Sequence, residues 1–184
     1  MPAERHVLLP PPAQKDSLRI YNLCVVCLGN ICRSPMAEVL IRAELEAAGL
    51  AGRASVESAG TGDWHLGERM DRRARAELAR RGYDGSRHRA RQISPDWLER
   101  FDLLIAMDAS NLRDLQRMAA GRADLADRIR LFRSFDPAAP AGAQVPDPYG
   151  GGPEDFARVF DMMQAAARGL AAELADMLAE HAGD

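Results

Sequence analysis

Residues 27–35 read Cys-Leu-Gly-Asn-Ile-Cys-Arg-Ser-Pro, and this segment restricts the fold more than any other part of the chain. Before it, Ile20-Tyr21-Asn22-Leu23-Cys24-Val25-Val26 is a short apolar, β-branched run of the kind that forms a buried parallel strand. After it, Ser34 suits the cap of a helix and Pro35 its first turn, where no backbone N–H is needed. A strand therefore passes to a helix through a short loop, with Gly29 suited to positive φ and Asn30 the next-best residue for it. Such a loop aims backbone N–H groups and the positive end of the helix dipole at one point, which attracts a phosphate-like dianion. A helix N-terminus and a nearby arginine also favour the thiolate form of cysteine, so Cys27 is expected to be an activated nucleophile. The spacing of Cys27 and Arg33 is weak evidence alone, because all but one of the 24 basic residues are arginine. Its strand–loop–helix setting carries the weight.

Strand and helix signals alternate along the rest of the chain. Residues 34–48 predict a helix with Met36, Val39, Leu40 and Ala43 on one face, closed by Gly49. Strands are expected over 54–59, 101–106 and 129–132, and helices over 71–81 and 110–119. Residues 136–153 are rich in Pro, Gly and Ala and have no element of their own, a length of loop that is usually functional or disordered. Apolar residues at 156, 159, 160, 163, 167, 170, 174 and 178 then predict one long amphipathic helix over 154–181. The expected fold class is α/β: a single-domain three-layer sandwich, its four-stranded parallel sheet flanked by helices. Ligands of such sheets bind beyond the carboxyl ends of the strands, and Cys27 ends the first.

Residues 27–38 resemble the phosphate-binding loop of the low-molecular-weight protein tyrosine phosphatases. The likeness continues through Ser58-Ala-Gly-Thr61, Asp63-Trp64, residues 87–93, Met107-Asp108-Ala-Ser-Asn111-Leu112 and Asp147-Pro148-Tyr149. These blocks stand in the family's order and cover roughly residues 23–178. The resemblance implies the flavodoxin-like, phosphotyrosine phosphatase I-like fold and a domain over residues 20–181. Residues 1–19, with Pro10-Pro11-Pro12, are expected to be a disordered N-terminal extension without a signal-peptide core.

The chemistry follows from the residue types. Cys27 would attack phosphorus, and Arg33 would grip two equatorial oxygens through its planar fork. Backbone N–H groups from Leu28, Gly29, Asn30, Ile31, Cys32 and Ser34 would stabilise the transferring group, and the Ser34 hydroxyl the departing sulfur. A leaving phenolate needs a general acid. The residues leave Asp147 and Asp136 open, each beside a proline, and the resemblance favours Asp147 of Asp-Pro-Tyr. It also implies that Asn30 and Ser58 brace the loop by hydrogen bonds and that His88 and Asp108 support the same neighbourhood. Trp64 and Tyr149 resemble the aromatic walls of a substrate cleft, with Ile31 an apolar wall inside the loop. Gly150 stands where many relatives carry a second aromatic residue, which leaves one side of the slot more open. The resemblance further implies a reversible Cys27–Cys32 disulfide, whereas Cys24 reads as core.

No metal or cofactor is expected, since Arg33 and the amides neutralise the phosphoryl charge and the four histidines make no zinc spacing with the cysteines. A net charge of −3 gives no general reason to expect nucleic-acid binding, and no apolar run is long enough to span a membrane. Three cysteines within residues 24–32 exclude a long-range disulfide framework and suit a reducing cytoplasm. Nine arginines between Arg69 and Arg91 read as a solvated face rather than an acidic-partner site. The implied partner is a phosphotyrosine-containing protein, a bacterial tyrosine kinase being one such substrate. An arsenate reductase would need relay thiols, and no cysteine follows Cys32. A protein-arginine phosphatase tends to carry threonine where this chain has Ile31. A silent phosphopeptide-binding module is opposed by the intact Cys27, Arg33 and Asp147.

Overall fold

In the computed structural model, which describes residues 9–11 and 19–180, the apolar run after residue 20 forms β1 (Tyr21–Cys27) at the centre of the sheet. β2 (Ala54–Gly60) pairs with one edge of β1, β3 (Leu103–Ala106) with the other, and β4 (Ile129–Leu131) extends the sheet beyond β3. All pairings are parallel, in the order β2-β1-β3-β4. Where a strand is hydrogen-bonded on both sides and covered on both faces it is apolar, which is why β1 shows no polar alternation from Leu23 onward. Its side chains alternate between two cores: Leu23, Val25 and Cys27 face one, Cys24 and Val26 the other.

The first core is covered by α1 (Arg33–Ala47), α2 (Arg72–Arg80) and α6 (Pro153–Glu180). All eight apolar positions expected along α6 are buried. Gly169 lets α6 approach a 3-10 turn at Phe132–Phe135: a Cβ there would lie 1.8 Å from the Phe135 carbonyl oxygen. The second core is covered by α4 (Ala109–Met118) together with the single-turn helices α3 (Pro95–Leu98) and α5 (Ala123–Ala126). Those two short helices and the 3-10 turn were not expected from the sequence.

The structure corrects two local expectations. Ser34 does not cap α1: Cys32 holds the N-cap position without a side-chain bond, and Ser34 lies inside the first turn. Among residues 27–35 positive φ falls on Asn30, at 54°, and not on Gly29.

The proposed extension over residues 1–19 lies largely outside the described residues. Within it, Leu9 packs against the first core, and the Tyr21 hydroxyl donates to the Pro10 carbonyl at 2.9 Å. Much of the arginine-rich stretch is tied internally, with Arg73 on Asp71, Arg80 and Arg81 on Glu77, and Arg91 on Glu57. No described helix is long and apolar enough to cross a membrane.

Candidate active site

The register of β1 brings Cys27 opposite Gly60, so the loop after β1 turns against the end of β2. The approach is close: a Cβ on Gly60 would lie 2.7 Å from the Leu28 carbonyl oxygen and 3.1 Å from the Asn30 nitrogen. Thr61 and Gly62 then donate backbone N–H groups to the carbonyls of Cys27 and Leu28, both at 2.9 Å. Asparagine can turn the chain at Asn30 because its short polar side chain tolerates the left-handed region.

That side chain is fully buried and fully used. Its amide Nδ2 donates to Ser34 Oγ at 2.8 Å and to Ser58 Oγ at 3.0 Å, while Oδ1 accepts the Arg91 N–H at 2.8 Å. Ser58 in turn donates to Glu38 at 2.5 Å. The Asn30 carbonyl oxygen is 2.7 Å from His88 Nε2. Burial lowers the pKa of His88, so the imidazole is held neutral and Nε2–H is the donor to Asn30. The loop is therefore braced from β2, from α1 and from the segment before α3. Glu38 and Arg91 fall within the resembling stretches 27–38 and 87–93 but are given no role there, although Glu38 stands one helical turn beyond Ser34, where a partner for the loop could be sought.

Cys27 Sγ, buried at the end of β1, lies 3.0 Å from Ser34 Oγ and accepts the Asn30 N–H at 3.2 Å. Cys24, Cys27 and Cys32 are all free thiols. Burial pushes the Cys32 thiol well up, with the charge of Asp71 adding to the shift, and burial does the same to Cys24. Neither is a nucleophile at neutral pH.

Arg33 is nearly as buried as the core, its side chain only 3% exposed. Its guanidinium donates to Asp108 Oδ2 at 2.7 Å, to the Val145 carbonyl at 2.9 Å and to Asp147 Oδ2 at 3.2 Å. Burial alone would raise the Asp108 carboxyl, but the hydrogen bonds from Arg33 and the Asn111 N–H outweigh it and hold the carboxyl below its ordinary range. Asp108 also caps α4 in a reciprocal box with Asn111, which fixes its carboxylate for Arg33.

The Pro- and Gly-rich loop before α6 is anchored where it matters. Val145 donates its N–H to the Met107 carbonyl at 2.8 Å and receives Arg33 on its own carbonyl. Two residues on, Asp147 reaches the mouth of the loop, with Oδ1 accepting the Tyr149 N–H at 3.1 Å. Asp136 is elsewhere: it is buried, paired with Arg133 at 3.3 Å, and accepts the Ala138 N–H.

A cavity of about 280 Å³ opens over the sulfur, lined by Cys27, Leu28, Gly29, Ile31, Cys32, Arg33, Trp64, His65, Asp147 and Tyr149. Trp64 and Tyr149, 69% and 52% exposed, stand as posts at its mouth rather than as closed walls. A Cβ on Gly150 would meet open space, in keeping with the slot's open side. One lining residue, His65, and one residue behind the lining, Arg73, carry no role in the sequence reading. His65 pairs with Glu68 at 2.9 Å and stands 6.5 Å from the Tyr149 ring. Arg73 lies under that ring at 5.3 Å, with Phe156 on it at 4.8 Å, and so sets where Tyr149 stands. No three metal-donor side chains cluster among the described residues.

A family model described as Low molecular weight phosphotyrosine protein phosphatase matches residues 22–180. Low molecular weight protein-tyrosine-phosphatase of Streptomyces coelicolor is 48% identical over 159 residues, covering 86% of this chain and 96% of the relative. Low molecular weight protein-tyrosine phosphatase A of Mycobacterium bovis is 42% identical over 150 residues, covering 81% and 88%. Among solved structures, protein tyrosine phosphatase from Entamoeba histolytica with Hepes in the active site aligns with a TM-score of 0.79 at 32% identity. That alignment covers 85% of this chain and 97% of the other.

Proposed function

We propose that Cys27, Arg33 and Asp147 divide between them the reaction of this chain, which belongs to the low molecular weight phosphotyrosine protein phosphatase family and is a protein-tyrosine phosphatase. The observation that carries the assignment is their meeting in one cavity, although 114 positions separate Arg33 from Asp147.

In the first step Cys27 Sγ attacks phosphorus while the bond from phosphorus to the tyrosine oxygen breaks. The protonated Asp147 carboxyl gives its proton to that oxygen, so tyrosine leaves neutral and a phosphocysteine remains. In the second step a water attacks phosphorus and Asp147 takes its proton. The sulfur–phosphorus bond breaks, and inorganic phosphate leaves. Through both steps Arg33 and the loop N–H groups hold the equatorial oxygens, where preorganised donors act most strongly. Ser34 Oγ, 3.0 Å from the sulfur, stabilises it before attack and on departure. Asn30, Ser58, His88 and Asp108 keep loop and arginine in place. Trp64, Tyr149 and Ile31 flank the aryl ring.

Phosphotyrosine proteins are the substrates the family implies, and a bacterial tyrosine kinase is the protein we place among them. Three free thiols suit a cytoplasmic location. The test is p-nitrophenyl phosphate hydrolysis by the wild type, Cys27→Ser and Asp147→Ala. Cys27→Ser should be inactive, and Asp147→Ala should be slower by about 10²–10⁴-fold, the usual worth of a general acid. Equal activity in all three proteins would refute the assignment.

A further inference from the structure

Beside the Cys27 cavity lies a second trough of about 330 Å³, whose lining includes Leu28, Trp64, Asp114, Arg117 and Met118. Leu28 and Trp64 line both spaces, so the trough continues the cavity across their side chains. The Trp64 ring rests against Gly62, where a Cβ would fall 1.8 Å from a ring carbon, and stands as a partition between the two.

The trough is apolar where it meets the cavity. Five large hydrophobic side chains are exposed among the described residues, and Leu28, Trp64 and Tyr149 of these line the cavity mouth. Scattered exposed hydrophobics need no explanation, but contiguous ones at a cleft mark where a partner packs. Met118, the last residue of α4, is packed partly against the second core and supplies the far wall. Charge at the trough is neutralised, since Arg117 and Asp114 are ion-paired with each other.

We propose that this trough is a specificity subsite for an apolar side chain flanking phosphotyrosine in the protein substrate. It rests on the assignment of the Cys27 cavity to phosphotyrosine. The aryl phosphate enters the cavity, and a neighbouring aliphatic or aromatic side chain crosses Leu28 and lies between Trp64 and Met118. Proteins with apolar residues beside phosphotyrosine are therefore the preferred substrates.

The test uses two phosphotyrosine peptides, identical except that the two residues on each side of phosphotyrosine are leucine in one and aspartate in the other. p-Nitrophenyl phosphate, too small to reach the trough, is the control. The wild type should favour the leucine peptide by about tenfold in kcat/KM, the discrimination a hydrophobic pocket supplies. Met118→Lys, which removes the apolar wall and offers a charge that aspartate can meet, should bring the two peptides close to parity with p-nitrophenyl phosphate turnover unchanged. Met118→Ala, which shortens the wall without adding a charge, should move the preference in the same direction. Parity in the wild type, or a wild-type preference for the aspartate peptide, would overturn the subsite while aryl phosphate turnover left the active-site assignment standing. A wild type that hydrolyses none of the three would overturn both.

Discussion

Asn30→Ala removes three hydrogen bonds from a buried residue and places alanine at a φ of 54°. At about 1 kcal/mol net for each bond, the lost bonds amount to about 3 kcal/mol. The left-handed backbone adds about 1 kcal/mol that asparagine tolerates better than alanine does. The expected loss is about 4 kcal/mol, a large part of the roughly 5–15 kcal/mol that holds a domain folded. Asn30→Gly separates the two causes. It loses the same bonds but adopts positive φ freely; the roughly 1 kcal/mol this recovers is offset by about 0.5–1 kcal/mol of extra chain entropy, so it should be no more than about 0.5 kcal/mol more stable than Asn30→Ala. Urea unfolding followed by fluorescence of Trp64 and Trp97 measures both, provided the slope with denaturant stays constant. p-Nitrophenyl phosphate turnover should fall in both variants, because Ser34 Oγ loses the donor that holds it beside the sulfur. A loss below about 1 kcal/mol in both variants would refute the bracing role.

Gly169→Ala should destabilise by at least the roughly 1–3 kcal/mol of ordinary overpacking, because the obstacle is the Phe135 backbone oxygen, which has no rotamer to change; thermal unfolding measures it. His88 carries the pH dependence. Its folded pKa lies below the ordinary value near 6.5 because burial disfavours the imidazolium, so between the two values the unfolded chain binds more protons. Stability from this residue is fully present above about pH 6.5 and declines as pH falls through the window beneath it. His88→Gln should flatten the pH dependence of the urea midpoint there, and an unchanged slope would show that His88 is not its source.

The sequence is most readable where geometry repeats within one segment. The eight apolar positions of α6 are all buried because a 3.6-residue period survives in the residues themselves. Cys27, Arg33 and the two flanking elements were legible for the same reason: a strand, a loop and a helix start adjoin within a few residues. Partnerships between distant residues were not. Ser58 bonds Glu38 across 20 positions, and Arg73 meets Tyr149 only after α2 and the loop before α6 have packed. Any of the 27 acidic residues could have been written into such a pair. The placement of Asp136 and Asp147 is of this kind: Val145 anchors the segment of the second to Met107 and Arg33, while the first pairs with Arg133. α3 and α5, one turn each, are too short to show a period at all.

The order in which this chain is made runs opposite to the order in which its reactive centre is secured. β1 and Cys27 are among the first described segments to leave the ribosome, yet β1 waits for β3, about 80 residues later, for its second partner strand. The first core, partly covered by α1 and α2, is closed only when α6 docks Phe156 through Leu178 against α1 and the 3-10 turn. Nascent chains therefore carry Cys27 for most of synthesis without the packing that positions its loop. Among the described elements, α6 is the one whose docking closes the core behind the Cys27 loop.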